Sequence, residues 1–472
     1  VVRLRRDILA TVYGVLLIVL LIANWVGIRE RYVVGSFPCS DVNGVAVGDV
    51  DVRSPGDELV FWTASDICVI YNVTSGPRVE TVYAHPATQS NPLAGLAIAD
   101  FDPERKGKEI MAVTANGTVL LLWRDTVSWK SIHVADLPWP SPVWTTRAMV
   151  GARFDASSLA AELVIVGEYF DWPTLNRTGR VLVVNRVSNV TWQVSVAYTA
   201  AQPLLCAAAG DLNRLHPGLE LLTAGEGASI KALAVTNGSW SATSVFTWSG
   251  VIPSVTIGNL IASSLGYEVG LVLNGEVFLV SYNGSIWQPM QIWRSGAMQV
   301  ILQTLIACDV DPFNPGDELL GLGTSTVTGD SVLVVLAHNG LLWTSRVLLV
   351  LPKDYVTANQ PATFDFSRAG TEIVVASRNL LSVYAIPSSQ DRTVRAAAAV
   401  LLPAVVLLPG TVILFVLADY VGGVAAERRR KYGLLMAAKG FVQCPVCKRF
   451  LPRANLEAHR RLHRQQQLLL AR

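Results

Sequence analysis

Residues 96–113 read LAIADFDPERKGKEIMAV. An apolar strand runs into an acidic turn, Asp100-Phe101-Asp102, and Glu109 then opens a second apolar strand. The pattern recurs along the chain. VAVGDVDVRSPGDELVFW occupies 45–62, MVGARFDASSLAAELVIV 149–166 and CAAAGDLNRLHPGLELLTA 206–224. SVTIGNLIASSLGYEVGLV follows at 254–272, LIACDVDPFNPGDELLGLG at 305–323 and ATFDFSRAGTEIVVA at 362–376. The aligned glutamates are Glu58, Glu109, Glu162, Glu220, Glu268, Glu318 and Glu372, spaced 48 to 58 residues apart. A period of about 50 residues suits one four-stranded propeller blade. The expectation is a mainly β fold, with a seven-bladed β-propeller over 29–390.

Within the second unit, strands are expected at 95–100, 109–114, 118–123 and 130–135, with Asn116-Gly117 as a hairpin turn. Asn274-Gly275 and Asn339-Gly340 repeat that signal, and helical periodicity is absent from this region. The seventh unit shows three strands, near 361–366, 372–377 and 380–386. A spare strand at 31–37 precedes the first unit. It is expected to complete the last blade, because an unpaired edge would expose backbone groups.

These repeats are similar to the FG-GAP family of propellers, as in integrin alpha chains. The likeness covers about 44–386 and rests on Asp49-Val50-Asp51 to Glu58, Asp100-Phe101-Asp102 to Glu109, and Asp309-Val310-Asp311 to Glu318. It implies calcium on those carboxylates, and hard oxygens on one loop suit that ion. The loop here is longer than the family's and lacks its third Asp followed by Gly. Arg153, Ala262 and Ser367 stand at corresponding places in the third, fifth and seventh units. The structural alternative is that Asp accepts turn N–H bonds while Glu pairs across the blade.

Outside the repeats, charge is partitioned. Of 38 Lys/Arg and 36 Asp/Glu in the chain, residues 8–426 hold 23 and 33, so the middle is acidic and both ends are basic. No charge interrupts 8–26 or 396–418. Runs of this length can cross a bilayer. They predict transmembrane helices at 8–28 and 396–420, the second kinked by Pro403 and Pro409. The first run exceeds a signal-peptide core, and no small-x-small site follows Ala23, so it is read as an uncleaved anchor. Arg3, Arg5 and Arg6 precede the first run, and Arg428, Arg429, Arg430 and Lys431 follow the second. The positive-inside rule then places the N-terminus 1–7 and the C-terminal tail in the cytoplasm, with the propeller at the cell surface. Sequons at Asn72, Asn116, Asn176, Asn189, Asn237 and Asn283 fall in the outer segment and mark it as a candidate glycoprotein.

A basic linker, 427–443, leads to CPVCKRFLPRANLEAHRRLH at 444–463. Cys444, Cys447, His459 and His463 match a Cys2His2 zinc finger over 444–465 with a small ββα fold, one residue shorter than usual between Cys447 and Phe450. Two thiolates and two imidazoles suit tetrahedral zinc, and a segment this small needs metal to fold. Base-reading positions would fall on Pro452, Asn455 and Ala458. Pro and Ala offer no hydrogen bond to a base, which argues against sequence-specific DNA binding. Arg460, Arg461 and Arg464 could meet a cytoplasmic protein, anionic lipid or phosphate.

Four cysteines remain. Cys206 and Cys308 are expected as buried free thiols, and Cys39 could reach Cys68 if the closing strand is right. No nucleophile elbow, zinc-protease motif or phosphate loop occurs. Trp62, Trp123, Trp139, Trp144, Trp172, Trp240 and Trp287 could pack the blades or bind a sugar or partner. The sequence therefore points to a non-catalytic, membrane-anchored binding, scaffold or receptor-like propeller, recognising an extracellular protein or glycan. The alternatives are a membrane-tethered carbohydrate-active enzyme and a membrane-held nucleic-acid-binding regulator.

Overall fold

The computed structural model describes residues 33–351 apart from 55, 72–76, 86–90, 140–142, 214–217, 228, 263, 265, 284–285, 312–313 and 315. Beyond them it describes 362–364, 372–377, 380–385, 420 and 422–470. The chain divides into two units, Arg29–Arg392 and a second made of Val1–Ile28 with Thr393–Arg472.

The first unit is a seven-bladed β-propeller. Each blade is a four-stranded antiparallel sheet. Blade 1 comprises Gly44–Gly48, Glu58–Trp62, Asp66–Tyr71 and Arg78–Ala84, paired in that order. Blades 2 to 6 repeat this order over 93–136, 144–200, 204–247, 254–293 and 300–351. In blade 2 the strands are Leu93–Ala99, Glu109–Thr114, Thr118–Arg124 and Trp129–Asp136, close to the expected positions.

Blade 7 takes three strands from the end of the repeats, Ala362–Phe364, Glu372–Ala376 and Leu380–Ala385. Its fourth is Val33–Pro38, paired antiparallel with Leu380–Ala385 in the register Phe37↔Leu381 and Ser36↔Ser382. The N-terminal strand thus closes the ring. Phe37 and Leu381 from blade 7 pack with Leu59, Phe61 and Ile70 from blade 1.

Apolar clusters of this kind fill the interface between each pair of neighbouring blades. Second strands are covered on both faces, as the wholly buried Glu58–Trp62 and Glu109–Thr114 show. For that reason they read as continuous apolar runs instead of alternating ones. The first strands line a central channel of about 500 Å3. Val47, Ile98, Met149, Ala208 and Ile306 are among its lining residues, and Arg147 is its one charged lining residue among those described.

In the second unit, residues 422–438 form a helix, followed by a hairpin of Phe441–Gln443 and Phe450–Pro452 and a helix Leu456–Leu470.

One expectation is corrected here. A two-pass membrane protein with both termini cytoplasmic rested on 8–28 and 396–420, which lie outside the described residues except for Tyr420. Among the described residues no helix is long and apolar enough to cross a membrane. Helix 422–438 carries Glu427, Arg428, Arg429, Arg430 and Lys431, and helix Leu456–Leu470 carries Glu457, Arg460, Arg461 and Arg464. Charges at that density cannot enter hydrocarbon cheaply.

Candidate functional site

Three places gather chemistry, and the first is the set of acidic turns between first and second strands. In each, a buried glutamate reaches back across the turn. Glu58 Oε2 accepts the N–H groups of Val50 at 2.9 Å and Asp51 at 3.1 Å. Glu318 takes those of Val310 and Asp311, and Glu268 those of Leu260 and Ile261. Glu109 takes Asp102, Glu162 takes Phe154, and Glu220 takes Leu212. The apolar residue of each turn is thereby pinned inside: Phe101, Phe154, Leu260 and Val310 are fully buried. The glutamate is the turn's buried acceptor, while the aspartates take N–H groups nearer the surface: Asp51 that of Arg53 at 3.2 Å, Asp102 that of Glu104 at 3.3 Å and Asp155 that of Ser157 at 2.8 Å.

The aspartates in turn meet arginine. Asp51 pairs with Arg53 at 2.7 Å and lies 3.7 Å from Arg124, while Asp102 holds Arg105 and Arg186, each at 2.6 Å. Guanidinium groups thus pair with Asp51 and Asp102, two of the carboxylates on which the calcium expectation rests. In the sixth, Asn314 donates to Glu318 at 2.7 Å, beside Asp309 and Asp311. Among the described residues no group of three or more carboxylates converges on a cation position; the Cys/His cluster below is the group that does.

Burial pushes Glu58, Glu109 and Glu162 up to about 7. Their ordinary value is 4.5, so between 4.5 and about 7 the folded chain holds protons that the unfolded chain has released. The stabilisation is complete below 4.5 and is lost as pH rises through about 7. Stability should therefore fall from about pH 5 to pH 8 in thermal melts. Glu109→Gln should keep the acceptor and flatten part of that slope. Glu109→Ala, which leaves buried amides unpartnered, should cost about 1–3 kcal/mol. The lowered carboxylates work oppositely: Asp51, held down by hydrogen bonding to Arg53, loses its contribution only as pH falls below its ordinary 3.8.

The second place is the C-terminal cluster. The ligand atoms of Cys444, Cys447, His459 and His463 all lie within 4.8 Å of one another. His459 Nε2 is 3.0 Å from His463 Nε2 and 3.1 Å from Cys447 Sγ. Around one tetrahedral zinc-sized ion, such atoms would stand about 3.3–3.8 Å apart. The donor set therefore fits an ion with slight expansion. Helix Leu456–Leu470 presents both histidines on one face, four residues apart. The Cys444 N–H donates to Arg449 O at 2.8 Å, and the Lys448 N–H to Cys444 O at 2.9 Å. This short loop turns through Lys448 at φ 62°, a left-handed position that favours glycine. The Cys447 and Val446 amides aimed at Cys444 hold its thiol below the ordinary value, towards the thiolate a metal requires.

Of the third place the sequence offered only Trp139 and Trp172, among seven tryptophans read as blade packing or as sugar or partner contacts. Blade 3 has unusually long middle strands, Glu162–Asp171 and Asn176–Arg186. Their hairpin ends in Trp172, 57 % exposed, and Leu175, 70 % exposed, with Leu175 at φ 54°. On one side of the hairpin, buried Glu168 joins Arg147 and Arg177, and Arg177 reaches Glu226 of blade 4 at 3.9 Å. On the other, Arg180 lies over Trp139 at 4.0 Å and over Tyr169 at 3.9 Å. In an up-and-down blade, these hairpins and the links between blades share one face of the ring, and the acidic turns lie on the other.

Of the sequon asparagines, Asn116, Asn176, Asn189, Asn237 and Asn283 are exposed, while Asn72 lies outside the described residues. Cys206 and Cys308 are buried free thiols. Cys39 and Cys68 are also free thiols, close enough for Cys68 to help burial raise the Cys39 thiol to about 11. The described propeller histidines do not meet: His85 bonds Asn91, His133 faces Asp136, and His338 packs on Trp343.

No family model matches the sequence, and no curated protein matches it. Solved structures do. A lectin of Burkholderia pseudomallei, BP39L, aligns with a TM-score of 0.51 at 13% identity, over 74% of this chain and 97% of that one. BBS1N, solved in complex with ARL6DN, gives 0.49 at 11% identity over 76% and 97%. Saccharomyces cerevisiae Sqt1 gives 0.45 at 11% identity over 71% and 82%. At these identities the likeness extends to the fold and no further. The comparisons support a propeller, and the FG-GAP resemblance goes no further than that architecture.

Proposed function

We propose that this chain is a non-catalytic binding protein. Its propeller holds a glycan through the raised hairpin of blade 3, and its C-terminal unit is a zinc-stabilised module for contact with a protein or an anionic surface. The observation that carries the first half is the tip of that hairpin. Trp172 and Leu175 are both exposed, and Leu175 sits in a backbone conformation that costs a non-glycine residue about 1–2 kcal/mol. Strain held at an exposed apolar tip is better explained by recognition than by folding. Trp172 rests edge-on against Phe170 at 4.7 Å, which fixes an aromatic platform beside the hydroxyls and charges of the same hairpin. No carboxylate lines the channel among the described residues, and a glycosidase needs paired carboxylates, which supports binding over hydrolysis.

In the second half, Cys444, Cys447, His459 and His463 would hold zinc, which supplies cross-linking, not catalysis, when four protein ligands close its coordination sphere. The chain's own contribution is the loop 444–449 and the helix that bring the donors together. The exposed arginines Arg460, Arg461 and Arg464 surround them.

The test is a panel of immobilised oligosaccharides probed with the full chain. Trp172→Ala should lower binding about tenfold or more with an unchanged melting temperature. Leu175→Gly should raise stability by up to about 1 kcal/mol while weakening binding. Retention of any sugar by both variants at wild-type strength, or cleavage of a polysaccharide by the chain, would overturn the proposal.

A further inference from the structure

Four described arginines lie over aromatic rings. Arg78, over Tyr71, pairs with Glu80. Arg105, over Trp123, pairs with Asp102. Arg124, over Trp129, pairs with Glu80. Arg180 differs: its guanidinium lies over both Trp139 and Tyr169, and among the described residues no carboxylate pairs with it. Its Nε is closed off from water without a hydrogen-bond partner, and so is Thr178 Oγ1, two residues earlier on the same strand. Residues two apart on a strand share a face. That face is the one Tyr169 occupies, since Thr178 stands opposite Tyr169 in the register.

The other side of the hairpin makes the contrast. There Glu168 pairs with both Arg147 and Arg177, and Glu226 lies 3.9 Å from Arg177. A buried polar atom without a partner is costly, and here two lie two residues apart on one strand, beside a guanidinium that no carboxylate pairs among the described residues. The aromatic walls shield the cation from water, which strengthens any ion pair formed at its open edge.

We propose that the junction of blades 2 and 3 binds the carboxylate of an acidic sugar. The open edge of the Arg180 guanidinium takes the carboxylate, and Trp139 and Tyr169 fix the guanidinium plane. The proposal deepens the glycan-binding function above and rests on it. A carboxylate is favoured over a phosphate by charge: one cation is on offer, and Glu168, Asp171 and Glu226 on the hairpin and the next loop repel a dianion. The same acidic neighbours disfavour an acidic peptide. A sugar is favoured by the platform at the tip. Trp172 lies at the end of the same hairpin, about 16 Å along the strand from Arg180, within the span of a short oligosaccharide.

The experiment is titration calorimetry on the full chain with sialyllactose, which carries a single carboxylate, and with its neutral methyl ester. Sialyllactose should bind, with the methyl ester about tenfold or more weaker. Arg180→Gln and Arg180→Lys should each lose about tenfold or more for the acidic sugar, because lysine keeps the charge but not the planar fork. Arg78→Gln, outside the site, should bind as wild type does. Arg180→Lys also covers the case in which Arg180→Gln fails to fold, and equal melting temperatures for Arg180→Lys and wild type show that packing is intact. Equal affinity for both sugars, abolished by Trp172→Ala, would sink the anion site and leave the glycan-binding function standing. Binding of neither sugar would overturn the site. So would Arg180-dependent capture of a glutamate-rich peptide in place of the sugar.

Discussion

Chelation of the full chain is expected to melt the helix Leu456–Leu470 and its hairpin while leaving the propeller folded. Among the described residues of the C-terminal unit, Cys444 alone is buried. Such a unit has almost no apolar core, so its fold must come from the bonds its donors make. Structural zinc contributes about 10–16 kcal/mol of apparent binding free energy in units of this kind, as much as a whole domain's stability. Cys444→Ser should therefore do what the chelator does. Metal analysis should give one zinc per chain for wild type and none for the variant. Limited proteolysis should cut the variant after about residue 438 and leave the blades intact. Lys448→Gly should move in the other direction, because it relieves the left-handed turn at φ 62° without touching a ligand. Full helicity in both the chelated wild type and Cys444→Ser would show that the cluster is not what folds this unit.

The sequence disclosed the ring and concealed the face that uses it, for physical reasons. The repeated turn was legible because it depends on local chemistry. An apolar strand, a turn and a glutamate must recur wherever a blade begins, so Glu58 to Glu372 mark the blades one by one. The closing strand was legible by counting, since an unpaired edge costs every blade the same.

The glutamates' task was harder to read. Whether Asp51 or Glu58 accepts the turn's amides depends on the path of the loop, and the arginine that claims Asp102 comes from position 186, a blade away. Long-range partners leave no trace in spacing. The cluster around Arg180 is of this kind: Trp139 lies on a link between blades, Tyr169 and Arg180 on two strands of blade 3. The one local clue was the length of the stretch from Glu162 to Arg186, longer than its counterparts and carrying Trp172-Pro173 at its turn. In the C-terminal unit the spacing of Cys444, Cys447, His459 and His463 sufficed to predict their convergence, because helix pitch and a tight loop fix it. Membrane crossing was inferred from apolar length alone in 8–28 and 396–420, and none of the described helices has that character.

Phe37→Ala should open the ring. Phe37 is 5 % exposed and packs at the seam with Leu59, Phe61, Leu381 and Val383. Truncating a buried phenylalanine costs about 3–5 kcal/mol, a large share of the roughly 5–15 kcal/mol that holds a domain. Phe154→Ala is the control. It removes an equally buried ring between blades 3 and 4, where both neighbours are continuous in sequence. If energy alone mattered, the two would behave alike.

Topology makes them differ. Among the described residues, Val33–Pro38 is tied to blade 7 by the hydrogen bonds of one strand pair and by Phe37, so losing the ring lets that strand leave and exposes the edge Leu380–Ala385. Amide exchange should then rise first in blades 1 and 7 for Phe37→Ala. It should rise around the damaged interface, with the seam still shut, for Phe154→Ala. A freed edge also seeks a partner, so Phe37→Ala should dimerise or aggregate with concentration while Phe154→Ala stays monomeric. If exchange at 33–38 and 380–385 is no faster in Phe37→Ala than in the control, the N-terminal strand is an accessory and the ring is held shut by its inner strands alone.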